Sequence, residues 1–303
     1  MEDRQNSPDS PPVCDYEGSD YQTRFWDQGG RAYEDGAEAA ALKRLLPPGG
    51  KTMLEIGAGA GRNTLRYKRF ETIVLMDYSL TQMQQAQARL GRGEKYVYVA
   101  ADVYRLPFTS GYFEAATMIR VLHHMAEPEL ALKQIRQALQ PGATFILEFA
   151  NKQNLKAILR YLFNQQAWSP YTLEPVEYIP LNYDFHPKAV RGWLAAASFE
   201  LQRQLTVSHF RIGILKRLVP TSLLVWIDSI ASLTGDWWQL TPSVFTCSKA
   251  AGVPEKASPD AGMFSCPECK SPLGEPQENL LTCTCGLRWG IEDGIYNFKQ
   301  PVK

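Results

Sequence analysis

Apolar residues along this chain fall into two kinds of pattern. Short apolar runs, each typical of a buried strand, alternate with longer stretches in which apolar residues recur every three or four positions, as on one face of a helix. The alternation is regular from residue 51 to residue 151, which predicts an α/β fold with a parallel sheet and helices on both faces. The predicted strands lie at residues 53–56, 72–76, 96–101, 113–119, 144–149, 199–207 and 243–248.

Three alternating glycines follow the first predicted strand, at positions 57, 59 and 61. Glycine adopts positive φ without strain and lets a ligand approach the backbone closely, and the start of the next helix offers free N–H groups. The pattern is typical of a cofactor site built on bare backbone. A dinucleotide fingerprint needs its third glycine where this chain has Arg62, so a pyrophosphate-binding turn is not indicated.

The acid Glu55, two residues before the first glycine, makes this turn similar to motif I of the class I methyltransferases, which use S-adenosylmethionine (SAM). Four later segments resemble the same family in the same order, namely residues 77–86, 102–108, 120–124 and 139–143. The resemblance covers residues 36–150 well. It implies the family's Rossmann-like sheet and SAM as the cofactor.

The resemblance also implies a set of cofactor-binding residues near the carboxyl ends of the strands, where open α/β sheets bind their ligands. Asp77 ends the second strand about 20 residues after the glycines, where a carboxylate accepts hydrogen bonds from both ribose hydroxyls. The residues expected to bind SAM are Glu55, Gly57, Ala58, Gly59, Gly61, Asp77, Tyr78, Met83, Asp102, Val103 and Arg120.

Composition narrows the classes of partner. The 303 residues contain 32 Lys plus Arg and 32 Asp plus Glu, so there is no broad positive field for nucleic acid. No apolar run reaches the roughly 20 residues of a membrane span. The start is acidic and proline-rich, without the apolar stretch of a signal peptide, and we expect a cytoplasmic protein.

Changes of composition divide the chain into four predicted regions. Residues 1–15 hold almost nothing to bury and are predicted to be disordered. Residues 16–249 form the predicted methyltransferase domain, whose aromatic beginning is expected either to fold over the cofactor as a lid or to pack an extra helix on the domain. Residues 250–262 are predicted to form a linker, and residues 263–303 a small module with four cysteines.

Two later segments bear on substrate and surface contacts. Residues 168–187 are an insert rich in Tyr and Pro, at a place where related methyltransferases build substrate pockets. Residues 210–238 combine three basic residues with many apolar ones and are predicted to form two helices that close the substrate cavity. The alternative is a basic amphipathic helix on a membrane surface, although Asp228 and Asp236 argue against a one-sided positive face.

The C-terminal cysteines form two pairs, Cys266 with Cys269 and Cys283 with Cys285. Four thiolates suit tetrahedral zinc, and a metal would stabilise a module too small to fold on its own core. The pattern resembles small zinc ribbons of the Trm112 type, except that the second pair is C-x-C rather than C-x-x-C. The open alternatives are a ribbon that has lost its metal and a ribbon folded around a disulfide.

The resemblance implies SAM-dependent methyl transfer. The acceptor is expected to be a small molecule of lipid-like or quinone-like character, because residues 120–124 resemble the quinone-type methyltransferases. His124 is a candidate base, or a residue that packs beside the cofactor. One alternative is an RNA methyltransferase that grips its substrate with the ribbon, although the ribbon is not basic. Another is a non-catalytic SAM-fold protein that docks a protein partner through the ribbon.

Overall fold

A ten-stranded sheet forms the centre of the molecule, and a separate two-stranded hairpin, β6-β7, lies outside it. The structure is a computed structural model and describes residues 11–19, 26, 29–252 and 262–302. The strands are β1 (Gly50–Ile56), β2 (Phe70–Asp77), β3 (Tyr96–Ala100), β4 (Phe113–Met118), β5 (Leu139–Ala150), β6 (Val176–Ile179), β7 (Asn182–Asp184), β8 (Phe199–Val207), β9 (Ser243–Ala250), β10 (Leu280–Thr282), β11 (Arg288–Glu292) and β12 (Ile295–Asn297).

The strand order in the main sheet is β10-β11-β12-β3-β2-β1-β4-β5-β9-β8. Strands β3, β2, β1, β4 and β5 run parallel, and β2 is buried at four consecutive positions from Ile73 to Met76. Such continuous burial is expected where helices cover both faces of a parallel sheet. Strand β9 pairs antiparallel with both β5 and β8. The predicted α/β fold is confirmed.

The direction in which strands are added reverses at β1. The chain passes from β1 to β2 and β3 on one side, and then returns to place β4 and β5 on the other side of β1. Helices that leave neighbouring strands in opposite directions leave a crevice at the carboxyl ends, and open α/β sheets bind ligands there. The topology therefore locates a site between the ends of β1 and β4.

The described residues form seven α-helices. Helix α1 begins at Ala32 rather than at Glu38, because its buried face includes charged positions such as Glu34 that an apolar pattern does not count. None of the helices in the described part of the chain is long and apolar enough to cross a membrane. The helices are α1 (Ala32–Leu45), α2 (Leu80–Leu90), α3 (Pro128–Ala138), α4 (Leu155–Leu162), α5 (Pro187–Ala196), α6 (Gly213–Leu218) and α7 (Thr221–Ala231).

Residues 11–19 of the N-terminal segment contact the rest of the fold. Residues 1–10 lie outside the described residues, but Val13, within the predicted disordered head, forms an isolated antiparallel bridge with Met125. The carboxylate of Glu17 then accepts the backbone N–H groups of Leu80 and Thr81 at 3.0 and 2.9 Å. A carboxylate at these free N–H groups stabilises the start of α2, and it fixes the segment beside the carboxyl end of β2.

The C-terminal module shares the main sheet instead of standing apart from it. Strand β12 pairs in parallel with β3, and the Phe298 N–H donates to the Ala100 carbonyl at 2.7 Å. Ile295 is fully buried in the same apolar cluster as Ile73 and Met83. The module has few apolar residues of its own, and part of its core therefore belongs to the neighbouring domain. The predicted boundaries at residues 249 and 263 remain predictions.

We expect Ile295→Ala to destabilise the methyltransferase domain as well as the module. Removing a fully buried Ile side chain costs about 2–5 kcal/mol, and the cavity would open against β2 and α2. Chemical denaturation followed by tryptophan fluorescence measures the free energy of unfolding. Val302→Ala, at an exposed position of the same module, should change it by less than about 0.5 kcal/mol. Two separate transitions, with the larger one unchanged in Ile295→Ala, would contradict this prediction.

Candidate functional site

A cleft opens at the carboxyl ends of β1, β2 and β4, where the topology locates a site. The N-terminal segment forms part of its wall, together with Trp26. The residues that line the cleft are Val13, Cys14, Tyr16, Trp26, Glu55, Ile56, Gly57, Ala58, Gly59, Arg62, Asn63, Met76, Asp77, Tyr78, Gln82, Ala101, Val103, Thr117, Ile119, Arg120, Val121, His124 and Met125.

The glycine turn after β1 forms the floor of the cleft. Gly57, Gly59 and Gly61 all have positive φ, at 65°, 53° and 74°, a region that glycine adopts without strain. A Cβ on Gly57 would also lie 2.1 Å from a methyl group of Val121. The turn therefore requires glycine at this position both for its backbone conformation and for its close approach to the loop after β4.

Asp77 holds the glycine turn against the end of β2. One carboxylate oxygen accepts the Gly59 N–H at 2.9 Å, and the other accepts the Ser79 N–H at 3.0 Å. Burial raises the pKa of Asp77 above its usual range, and these backbone hydrogen bonds oppose that rise. The carboxylate is therefore fixed in position at the edge of the cleft.

Glu55, the acid of the motif, lies at the inner end of the cleft and is 5% exposed. Its carboxylate accepts a hydrogen bond from the Thr64 hydroxyl at 2.6 Å. Burial raises the pKa of Glu55 to about 7, because removing a carboxylate from water disfavours its charged form. Near neutral pH the group is poised between its two protonation states.

The remaining predicted cofactor residues divide into two groups. Tyr78, Val103 and Arg120 line the cleft together with Ala58. Three others do not line it, although each lies nearby. Gly61 completes the turn, Met83 is fully buried in the core on α2, and the carboxylate of Asp102 accepts the Tyr104 N–H at 2.9 Å.

A network of buried charges supports the wall above the turn. Glu38 of α1 accepts hydrogen bonds from Arg62 at 2.7 Å and from Arg120 at 2.6 Å. The Arg62 guanidinium also stacks 3.5 Å from the centre of the Trp26 ring, a favourable cation–π geometry. Arg120 has a φ of 62°, and its N–H donates to Glu148 at 2.9 Å. A strained non-glycine backbone of this kind is typical of functional sites.

His124 lies on the opposite side of the cleft in a defined tautomer. Its Nδ1 lies 3.0 Å from the Leu181 carbonyl, which can only accept, so Nδ1 carries the proton. Its Nε2 lies 3.0 Å from the Tyr16 hydroxyl and accepts from it. Burial lowers the pKa of His124, and the ring is neutral at physiological pH. The predicted lid stretch therefore contributes Tyr16 and Trp26 to the site.

Several lining residues were not selected from the sequence, among them Cys14, Arg62 and Ile119. The sequence carries a signal for Arg62, because this residue directly follows the third glycine and therefore lies next to the turn. The sequence carries no such signal for Cys14, since its position depends on the bridge between Val13 and Met125. Contacts between distant parts of the chain place these side chains, and periodicity cannot detect such contacts.

The four C-terminal cysteines come together at the far end of the module. All four sulfurs lie within 4.8 Å of one another, with 3.9 Å between Cys266 and Cys285 and 3.3 Å between Cys269 and Cys283. Tetrahedral zinc with bonds of about 2.3 Å to sulfur requires separations of about 3.8 Å between its ligands. The C-x-C pair therefore does not prevent closure, and the donor set fits a structural zinc ion.

Residues 54–147 match the family model of the methyltransferase domain. The chain contains a class I, SAM-dependent methyltransferase domain. A demethylmenaquinone methyltransferase from Clavibacter sepedonicus is 23% identical over 156 residues, which is 51% of this chain and 64% of that protein. The O-methyltransferase cnsE of Penicillium expansum is 30% identical over 109 residues, which is 34% of this chain and 40% of that protein. The chain thus spans less than two thirds of either relative.

Solved structures share the fold of this chain. A chain from the complex between the Haloferax volcanii Trm112 methyltransferase activator and the putative methyltransferase superposes with a TM-score of 0.53 at 18% identity. The superposition covers 78% of this chain and 98% of that chain. At this identity the likeness concerns the fold, and it agrees with the sheet topology described above.

We expect the affinity for SAM to rise with pH through about 7. Glu55 holds a proton below its raised pKa, while a bound ligand with a positive sulfonium and ammonium group favours the ionised form. Binding should therefore release a proton and be several-fold tighter at about pH 8 than at about pH 6. Calorimetry in buffers of different ionisation enthalpy measures both quantities. Glu55→Gln keeps the shape of the side chain and should remove this dependence, and an unchanged pH profile in that variant would contradict the prediction.

Proposed function

We propose that the protein transfers a methyl group from SAM to a small-molecule acceptor. The observation that carries the proposal is the position of the glycine turn and Asp77 together at the strand-order reversal, open to one cleft. The turn offers backbone to the methionine part of SAM, and Asp77 offers carboxylate oxygens to the ribose hydroxyls. Tyr78 and Val103 would flank the rest of the cofactor. Gly61, Met83 and Asp102 would then support the site from behind its lining.

The reaction requires little covalent chemistry from the protein. Methyl transfer from a sulfonium is an in-line displacement, so holding the acceptor atom and the methyl carbon in near-attack geometry supplies much of the rate. The acceptor atom gains the methyl group and loses a proton, and S-adenosylhomocysteine leaves. We propose neutral His124 as the group that takes this proton at Nε2, in exchange for its hydrogen bond from Tyr16.

The acceptor that we propose is apolar and carries an ionisable hydroxyl, as a quinol does. Support comes from the apolar side chains Val13, Ile119 and Met125, which line the same cleft as His124, and from the demethylmenaquinone methyltransferase among the relatives. RNA is less well supported as a substrate. The chain has no net charge, while proteins that grip phosphates carry an excess of basic residues.

We also propose that Cys266, Cys269, Cys283 and Cys285 hold one structural zinc ion. Two of the thiols are buried and two are exposed, and the four sulfurs leave no position open for chemistry. The ion would join the two cysteine turns of residues 263–303 and support the strands that extend the sheet.

The proposed function predicts SAM binding and organic-soluble methylated product. The protein is incubated with methyl-labelled SAM and a demethylated naphthoquinol with a short isoprenoid tail, and the label is extracted into organic solvent. Asp77→Ala should weaken SAM binding by roughly 1.5–3 kcal/mol, the range for a hydrogen bond to a charged group, and should reduce the product accordingly. Label that enters added RNA and is released by RNase would favour the RNA hypothesis. Failure to bind SAM at all would contradict methyl transfer.

The zinc proposal predicts one equivalent of zinc per chain in freshly purified, reduced protein. Cys283→Ser should lose the metal, because three thiolates and one hydroxyl form a much weaker site. Cys247→Ser is the matched control, since Cys247 lies in β9 away from the cluster, and it should keep the full zinc content. Atomic emission spectroscopy measures the metal. A disulfide within the cluster, found by mass spectrometry of the reduced preparation, would contradict the proposal.

A further inference from the structure

The exposed apolar side chains are concentrated on one part of the surface. Among the described residues, all but three of the large hydrophobic side chains that are exposed lie between residues 155 and 240; the exceptions are Leu65, Leu130 and Val302. We call this surface, formed by α4, residues 163–179, α6, α7 and residues 233–240, the apolar face. Contiguous exposed patches of this kind mark contact sites for membranes or other proteins.

The parts of the apolar face are joined to one another. Helix α7 leads through a short 3-10 helix to Trp237 and Trp238, which are 79% and 56% exposed. The Leu240 carbonyl then accepts the Leu155 N–H, the first of α4, at 2.8 Å. At the other end of α4, Tyr161 contacts the ring of Tyr171 in the insert. The exposed apolar residues therefore follow one continuous path over the surface.

The helices of the apolar face bury few of their own side chains. Ala157 is the buried residue of α4, while Leu162 and the following Phe163 are 63% and 69% exposed. Helix α7 packs on α1 with Leu224 and Val225, and leaves Trp226 61% exposed. Contacts within the chain therefore explain one side of each helix and leave the other side uncovered.

The charged residues on the apolar face indicate which kind of partner could bind there. Helices α4 and α6 carry basic residues only, two in each helix. The single acid of α7, Asp228, is buried and accepts hydrogen bonds from Tyr33 and from His209. The exposed acids nearby are Glu174 and Glu177 in the insert and Asp236 after α7.

Lys156 and Arg160 of α4 and Arg217 of α6 are exposed beside apolar groups. Lys216 instead pairs with the buried Glu34 at 3.0 Å, and α7 has no basic residue. The exposed charges on these helices are therefore positive, while the exposed acids lie in the insert and after α7.

We propose that the apolar face docks on an anionic lipid bilayer. Apolar side chains would enter the boundary between headgroups and acyl chains, and the basic residues would contact the lipid phosphates. Exposed Trp and Tyr are side chains that favour this boundary.

Docking would also place the cleft close to the membrane. The insert that carries part of the apolar face also contains Leu181, whose carbonyl accepts the hydrogen bond from His124. An acceptor dissolved in the bilayer would then reach the cleft without crossing water. This consequence rests on the proposed function, whereas the docking itself does not, and the experiment measures docking without turnover.

The test is co-sedimentation of the full chain with vesicles. Vesicles of phosphatidylcholine mixed with phosphatidylglycerol should carry most of the protein into the pellet at low salt, and pure phosphatidylcholine or high salt should release much of it. The double variant Phe163→Glu, Trp237→Glu should bind at least tenfold more weakly. Leu130→Glu changes an exposed leucine on α3, outside the face, and should bind like the unmodified protein.

Two further measurements test for membrane contact when the double variant does not fold, and for a second copy of the chain. If the double variant does not fold, as judged by its thermal unfolding, brominated lipids decide instead, because they should quench the tryptophan fluorescence of the unmodified protein. Light scattering tests for a second copy. Protein that stays in the supernatant with anionic vesicles overturns the proposal. So does unchanged binding by the folded double variant, or a stable dimer that the double variant dissociates.

Discussion

The hydrogen bond between the Gly59 N–H and Asp77 is the contact on which the candidate site depends. It ties the turn after β1 to the end of β2, and the positive φ of the glycines makes the approach possible. The Ala58 N–H donates to the Met76 carbonyl at 3.0 Å between the same two elements. These contacts between two strand ends therefore convert a common sheet topology into a defined pocket.

Both ends of the chain reach the same edge of the sheet. Glu17, from the N-terminal segment, holds the start of α2, and Lys299, from the C-terminal module, lies 3.3 Å from the same carboxylate and 4.5 Å from the ring of Tyr78. A partly exposed ion pair contributes little stability by itself. Its location is informative, because it links the cysteine module, the N-terminal segment and a residue of the cleft.

The sheet edge at β3 and the surface formed by α4 and α7 differ in whether other parts of the chain cover them. Around β3 the edge of the sheet is covered by the module through β12, which prevents the open strand from pairing with other chains. Around α4 and α7, by contrast, apolar side chains are left exposed. The pairing with β12 thus moves the edge of the sheet from β3 to β10, whereas the apolar side chains of α4 and α7 stay exposed.

The sequence by itself predicted the strands β1 to β5, β8 and β9 of the sheet and the glycine turn after β1. Strand runs, glycine spacing and the acid at position 77 are local patterns, and their physical causes, burial on both faces and freedom of φ, act within a few residues. The tertiary structure decided what depends on distant contacts. Examples are the position of Val13 against Met125, the closure of the C-x-C pair and the pairing of β12 with β3. Such contacts leave no period in the sequence, because each joins segments whose separation along the chain is not fixed by any local rule.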